Sequence, residues 1–320
     1  MPRFIGDCIN CTPAIKLLEK SYPDANISLV IRKVPALVFE RDDIYQCIID
    51  ERPKHKVQGV LTLIKALKKQ KFDVAILMTN TLIDALIVRA SGIKDVIGYN
   101  KELRKPLLTK ALKLDRHRHY INRYAYLANA FCDNQHKHLP EVSITFDKKQ
   151  SVLENVNCLK IGFCIASGTK ASRHYPIQHC AKTIELINNK LTANASFYMI
   201  GSSEEVKEAE QVVSLLQNND NVHSIAGKTT ITELIDTISD LDLLITVDSG
   251  PLHIASATKT LTIALHSKGT SAFSTVCPKS SLTHVINSRG GYIADNDQIL
   301  DLLPEDIAEK AINLLPGSPG

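Results

Sequence analysis

The chain has 320 residues, with 38 Lys and Arg against 34 Asp and Glu for a formal net charge of +4, and it is 44% hydrophobic and 22% charged. That composition excludes a mainly disordered or fibrous protein, and the length suits two domains of roughly 150 residues each. No apolar run reaches the ~18–20 residues of a membrane-spanning helix, and Met-Pro-Arg-Phe-Ile-Gly-Asp7 lacks the basic-then-apolar layout of a signal peptide. The expected location is the cytoplasm, with any membrane met from outside the bilayer.

Short apolar runs alternate with amphipathic segments along the chain. In the first half the periodicity predicts a helix over 13–20, a strand over 27–32, a helix over 60–70 with Leu61, Ile64 and Leu67 on one face, a strand over 72–78 and a helix over 82–91. In the second half it predicts a strand over 159–165, a helix over 177–190, a strand over 195–200, helices over 204–217 and 231–239, a strand over 241–247, a helix over 252–257 and a strand over 260–266. Strands alternating with helices of this length form βαβ units and a parallel sheet.

The break falls in the polar stretch 132–140 and continues through 147–151, giving two Rossmann-like domains over 1–150 and 151–320. A doubly wound domain opens with a strand whose following loop carries function. Here Met1 stands almost directly on that loop, so the first strand of the N-terminal domain is expected to be missing or replaced. Eight cysteines are scattered singly, which is not a disulfide framework. Cys8-Ile-Asn-Cys11 has the spacing of a redox pair, but with no second pair or flanking His it reads as two small buried side chains and not as a zinc site.

Four segments carry candidate chemistry. In Leu243-Leu-Ile-Thr-Val-Asp-Ser-Gly-Pro-Leu-His253 an apolar strand ends in Asp248, Ser249 and Gly250, and Pro251 opens a helix whose first turn holds His253. Small residues let a ligand approach the backbone, and the helix start presents free N–H groups and partial positive charge, which suits a phosphate. The plain alternative is helix capping by Asp248 or Ser249. In the loop 166–176, Ser167, Thr169, Lys170, Arg173 and His174 precede a helix opened at Pro176; hydroxyls and cations there suit a diphosphate. The loop has neither the P-loop spacing nor the G-x-G-x-x-G of a dinucleotide fold.

In the third segment, Arg3-Phe-Ile-Gly-Asp7, the glycine permits a tight turn that projects Asp7 as a general base, or else Asp7 caps the following helix. The fourth is a charge run: 101–118 holds seven Lys and Arg against Glu102 and Asp115, a net of +5 that exceeds the whole chain's charge. This run suits an anionic acceptor or an anionic lipid surface; a solvated basic helix is the plain alternative. With aromatics at 5%, no Trp and no RNA-binding motif, nucleic acid is not expected.

Taken in order over nearly the whole chain, these residues resemble the ADP-heptose:lipopolysaccharide heptosyltransferases of glycosyltransferase family 9. The likeness is carried by Arg3-Phe-Ile-Gly-Asp7 with Pro13 and Tyr22-Pro-Asp-Ala25, by Phe72-Asp-Val74 through Gly92-Ile-Lys-Asp-Val-Ile-Gly98, and by Ile161-Gly-Phe-Cys164 with Ser167-Gly168 and Arg173-His-Tyr-Pro176. Ile225-Ala-Gly-Lys-Thr229 and Asp248-Ser-Gly-Pro-Leu-His253 are the most specific matches. The resemblance implies an α/β protein of two Rossmann-like domains facing across a cleft (the GT-B type). It implies metal-independent transfer with inversion and no cofactor, ADP-heptose being the donor substrate and an anionic lipopolysaccharide core the acceptor. Carried over by position, Asp7 would deprotonate the acceptor hydroxyl. Ser167, Thr169, Lys170 and Arg173 would face the donor diphosphate, with Arg173 where the family usually has Lys. Asp248, Ser249, Gly250 and His253 would hold the donor's sugar and phosphates, and Glu205 its ribose. Arg3, Arg104 and Lys105 would meet the acceptor, with peripheral contact at the inner membrane. His174-Tyr175 stands where the family commonly has Arg-Trp, and His266-Ser-Lys-Gly-Thr270 where it usually has Tyr-Gly-Pro-Thr. Three other readings stay open: a member with a different sugar nucleotide or acceptor, a non-catalytic sugar-nucleotide-binding protein, and a surface-binding protein acting through 101–118.

Overall fold

The alternating pattern folds into two α/β units, Met1–Ser143 and Ile144–Gly320. The computed structural model describes residues 1–52, 57–154, 157–168, 173–267, 273–289 and 299–316. The boundary lies ahead of the sequence-based one at 150/151 because 147–152 docks on the second unit: Asp147 N donates to Asp236 Oδ1 at 2.8 Å and Val152 N to Thr237 Oγ1 at 3.4 Å. Among the described residues no helix is long and apolar enough to cross a membrane.

The first unit runs α1 (Ile5–Asn10), α2 (Thr12–Ser21), β1 (Ser28–Ile31), α3 (Lys33–Ala36), β2 (Gln46–Ile49), α4 (Val57–Gln70), β3 (Val74–Ile76), α5 (Leu82–Ala90), β4 (Asp95–Tyr99), β5 (Lys110–Leu112) and α6 (Tyr120–Phe131). Its strands make two parallel sheets, β1–β2 and β3–β4–β5, with no pairing between them among the described residues. A doubly wound sheet of order 3-2-1-4-5-6 without its strand 1 has this layout of two strands and three. The Met1 ammonium donates to Val30 O at 2.8 Å, so the chain's first residue lies beside β1. Leu63, Leu67 and Ile87 of α4 and α5 cover Val30 and Ile48 of the smaller sheet. On another face Leu17 and Leu127 join Ile97 and Tyr99.

Charge ties the two sheets at their carboxyl edge. Arg52, just past β2, donates Nε to Asp50 Oδ1 at 2.8 Å and NH2 to Asp84 Oδ1 at 2.7 Å. Thr79 and Thr81 each donate to Asp84 Oδ2 at 2.6 Å. Burial pushes both carboxyls up, but hydrogen bonds from Arg52 to Asp50, and from Thr79, Thr81 and Arg52 to Asp84, outweigh it and leave both below their ordinary value. Groups depressed in this way stabilise the fold above their unfolded pKa of about 4, and that stability is lost as pH falls through the folded value. Arg52→Met is expected to lower stability by roughly 2 kcal/mol, less than a fully buried pair because these side chains are partly solvated. Urea unfolding at pH 7 and pH 3 checks this, the difference from wild type shrinking at the lower pH.

The second unit runs β6 (Leu159–Cys164), α7 (Ile177–Lys190), β7 (Ala195–Met199), α8 (Val206–Leu215), β8 (Val222–Ser224), α9 (Ile231–Ser239), β9 (Leu243–Val247), α10 (Gly250–Thr258), β10 (Thr262–His266), α11 (Phe273–Val276), β11 (Thr283–Asn287) and α12 (Pro304–Leu314). All six strands are parallel in the order β11-β10-β9-β6-β7-β8. The two halves diverge between β6 and β9, so the topological switch point lies between those strands, where open α/β sheets bind ligands beyond the carboxyl ends. Strands covered on two faces read as largely apolar runs; every residue of β9 is buried, and so are the last four of β6. Helix starts are locally encoded: Thr230 and Glu233 make a reciprocal capping box on α9, and Pro sits in the first turn of α10 and α12.

Gly162 in β6 has packed side chains where a Cβ would go: Leu241 Cδ1 at 2.6 Å, Ile200 Cδ1 at 3.0 Å and Leu244 Cδ1 at 3.2 Å. Gly162→Ala overpacks this layer and is expected to cost about 1–3 kcal/mol, read as a lower urea midpoint at unchanged slope.

Candidate active site

The carboxyl edge of the second unit is built where β6 and β9 part. After β6 the chain turns at Gly168, whose φ of +60° favours glycine. Its N–H donates to Glu205 Oε1 at 3.3 Å, and its carbonyl lies 2.9 Å from His174 Nε2. The loop's far end is pinned: Tyr175 N donates to Ile165 O at 2.8 Å, and the buried Tyr175 hydroxyl lies 3.2 Å from Thr183 Oγ1. Thr169 and Lys170 lie outside the described residues.

Arg173 crosses from this loop to the one after β9. Its NH1 donates to Asp248 O at 3.5 Å, and its NH2 lies 3.9 Å from Asp248 Oδ2. Ser249 occupies the N-cap of α10 with no side-chain cap bond. Its Oγ instead lies 3.2 Å from Thr246 Oγ1 and 3.8 Å from Cys164 Sγ. The capping alternative for Ser249 is therefore not realised, and the first N–H groups of α10 are not taken by their own N-cap side chain. A Cβ on Gly250 would meet nothing within 4 Å, so space lies open over the helix start. His253 is half-buried on the first turn. Cys277 lies near enough that the Asp248 charge adds to burial in pushing its thiol up to about 11.

Glu205 has a positioning role. Its Oε2 accepts from Ser202 N at 2.7 Å while Oε1 holds Gly168 N, so one carboxylate joins the loops after β6 and β7. Gly201 permits this approach, since a Cβ there would lie 3.1 Å from Glu205 Oε2. One lone pair on each oxygen remains for a further donor. The structure thus brings Ser167, Arg173, Glu205, Asp248, Ser249, Gly250 and His253 to one sheet edge, where a cation and a helix start can meet a diphosphate.

In the first unit, residues 5–10 form α1 instead of the expected turn at Gly6, and Asp7 is half-buried in its first turn. Asp7 does not cap α2, whose N-cap is Cys11 with no side-chain bond. The Asp7 charge reaches Cys8, Cys11 and Tyr124, adding in each case to the burial that raises them. Cys8 and Cys11 are fully buried, the Cys8 thiol pushed up to about 12, as the plain reading of that pair expected. Arg3 is exposed beside Phe4.

The basic run is not one helix: it holds a short turn over Lys105–Leu107 and β5. Arg104 corrects the acceptor expectation. It is fully buried, its Nε donating to Tyr99 O at 2.7 Å and its NH1 to Thr81 O at 3.3 Å. It fastens the end of β4 to the start of α5 and is not a surface ligand. Lys105 is exposed. The Asp50–Arg52–Asp84 cluster escaped sequence reading; the available signal was Asp50 ending an apolar strand, the same pattern as Asp248.

The model of glycosyltransferase family 9 (heptosyltransferase) matches residues 60–292. The chain belongs to glycosyltransferase family 9. Among relatives of this family-9 chain, lipooligosaccharide heptosyltransferase 2 of Haemophilus influenzae is 24% identical, the match covering 98% of this chain and 97% of that protein. Lipopolysaccharide heptosyltransferase 2 of Escherichia coli is 21% identical over 98% of this chain and 97% of its own. The solved E. coli ADP-heptose lipopolysaccharide heptosyltransferase II superposes with a TM-score of 0.83 at 20% identity, covering 98% of this chain and 96% of that one. E. coli heptosyltransferase WaaC with ADP-2-deoxy-2-fluoro heptose does so with 0.77 at 12% identity, covering 97% of each. The fold of this glycosyltransferase is the GT-B fold of those heptosyltransferases.

Proposed function

We propose that this chain transfers heptose from ADP-heptose to a lipopolysaccharide inner-core acceptor, with inversion and without a metal, in the cytoplasm and peripheral to the inner membrane. The carrying observation is Arg173 bridging to Asp248 beside the α10 start, at the switch point of a family-9 chain. An inverting displacement requires a base for the incoming hydroxyl and positive charge for the leaving diphosphate. Asp7 is assigned the first role. Arg173 and the N–H groups of α10 are assigned the second, with Ser249 and His253 orienting the donor and Lys105 and Arg3 meeting acceptor phosphates. Family membership and the heptosyltransferase relatives support donor and acceptor class.

The test is transfer from ADP-heptose to heptose-deficient lipopolysaccharide, following ADP release and acceptor mass together, with and without EDTA. One ADP per heptose gained, unaffected by EDTA, is expected. Turnover only with another sugar nucleotide would overturn the donor assignment, and loss with EDTA would overturn the metal-independent step.

A further inference from the structure

α5 is apolar on both sides. It buries Ala85, Ile87 and Val88 and leaves Leu82, Ile83 and Leu86 36–44% exposed, the last three spaced to share one face. A helix apolar all round is normally enclosed, so its outward leucines and isoleucine require a cover. Beside them Leu103 is 91% exposed. Glu102 and Leu103 stand at φ +49° and +58°, two consecutive non-glycine residues in the left-handed region. The turn is held in that state from both sides: Glu102 Oε2 accepts from Leu82 N at 2.8 Å, and the buried Arg104 grips Tyr99 O and Thr81 O. The fold thus spends two guanidinium contacts and a carboxylate on a conformation whose visible effect is an outward leucine next to an outward apolar helix face.

Charge selects the occupant. Lys101 and Lys105 flank Leu103 two residues to either side, and Lys105 is exposed. Glu102, the intervening acid, has its carboxylate at the α5 N-terminus, where the helix dipole offsets it. An exposed apolar tip flanked by two lysines fits a deformable anionic surface better than a rigid complementary one. We propose that Leu103 and the Leu82–Ile83–Leu86 face insert into a phospholipid bilayer while Lys101 and Lys105 meet its anionic headgroups. This deepens the peripheral attachment proposed above and does not depend on the transfer chemistry.

The chain has no tryptophan, so Leu103→Trp supplies a single reporter. Its emission is expected to shift to the blue with phosphatidylglycerol-containing vesicles and to stay put with phosphatidylcholine alone. In flotation, Leu103→Gln with Leu86→Gln should reduce binding to the anionic vesicles at least tenfold, while turnover on a delipidated, water-soluble core oligosaccharide stays at wild-type level. Unshifted emission, or undiminished flotation of the double variant, would overturn the proposal, as would a blue shift that tracks protein concentration without vesicles, which signifies a second copy. Because the vesicle measurements contain no donor, failure of the heptosyltransferase reading would leave them decisive.

Discussion

Asp7→Asn is expected to lower kcat for heptose transfer by about 10²–10⁴-fold, the usual contribution of a positioned base, while the dissociation constant for ADP-heptose stays unchanged. The asparagine keeps the shape of the side chain in the first turn of α1, among the buried Gly6, Cys8, Ile9 and Asn10, so the fold should survive. The split between lost turnover and retained donor binding is the diagnostic result, because a merely unfolded variant would lose both. Isothermal titration with ADP-heptose and single-turnover transfer measure the two sides. Asp7→Glu should restore part of the rate, since it keeps the carboxylate but shifts it by a methylene. A rate for Asp7→Asn within tenfold of wild type would remove Asp7 from the mechanism.

Arg173→Ala is expected to lower kcat by about 10²–10³-fold, the effect of removing one preorganised charge from a developing anion, and to weaken ADP and ADP-heptose binding together. Two effects add here. On the proposed assignment the leaving diphosphate loses its cation, and Asp248, only 14% exposed, keeps its carboxylate with the guanidinium 3.9 Å away removed. An uncompensated carboxylate then faces an incoming anion. Asp248→Ala should therefore be milder than Arg173→Ala, and the double variant should fall short of the product of the two single losses, because the residues act as a pair. Arg173→Lys should recover much of kcat, since a point charge still meets a phosphate, though without the fork that reaches Asp248 O and the diphosphate at once. A double-variant loss of donor affinity smaller than the product of the two single losses, measured by titration, supports the coupling; losses that simply multiply would show that Arg173 and Asp248 do not act as a pair.

In the second unit β6, β7, β9 and β10, four of its six strands, are legible in the sequence. β9 is wholly buried and β6 and β7 are mostly so, each a short, largely apolar run, and α7 and α9 carry their own punctuation in Pro176, Lys190 and the Thr230–Glu233 box. The first unit was less so. α6 is hard to read because its buried face, Ile121, Tyr124, Ala125, Leu127, Ala128 and Ala130, is mostly small or aromatic, with Asn122, Arg123 and Asn129 between its members, and such residues carry a weak periodic signal. By its sequence 5–10 reads as a turn because Gly6 permits one, whereas Gly6 is buried within the helix α1. The pattern does not show β2, β4, β5, β8, β11, α3, α11 or α12 either: three-residue strands such as β5 and β8 are too short to show a period of two, four-residue helices show no helical period, and α12 declares itself only by Pro304 at its first position.

Amino-acid order alone determined the parallel α/β class and the two loops that bear the candidate donor residues. These follow from local patterns: apolar period, turn residues and the small-residue endings of strands. The tertiary structure decided which charges are available. Arg104 and Lys105 are neighbours of like charge in the sequence, yet one is enclosed on backbone carbonyls and the other is exposed. Arg173 and Asp248 are 75 residues apart and meet only because β6 and β9 are adjacent at the switch point. Strand order is set by which faces can be buried together, a property of the whole sheet that no local window contains.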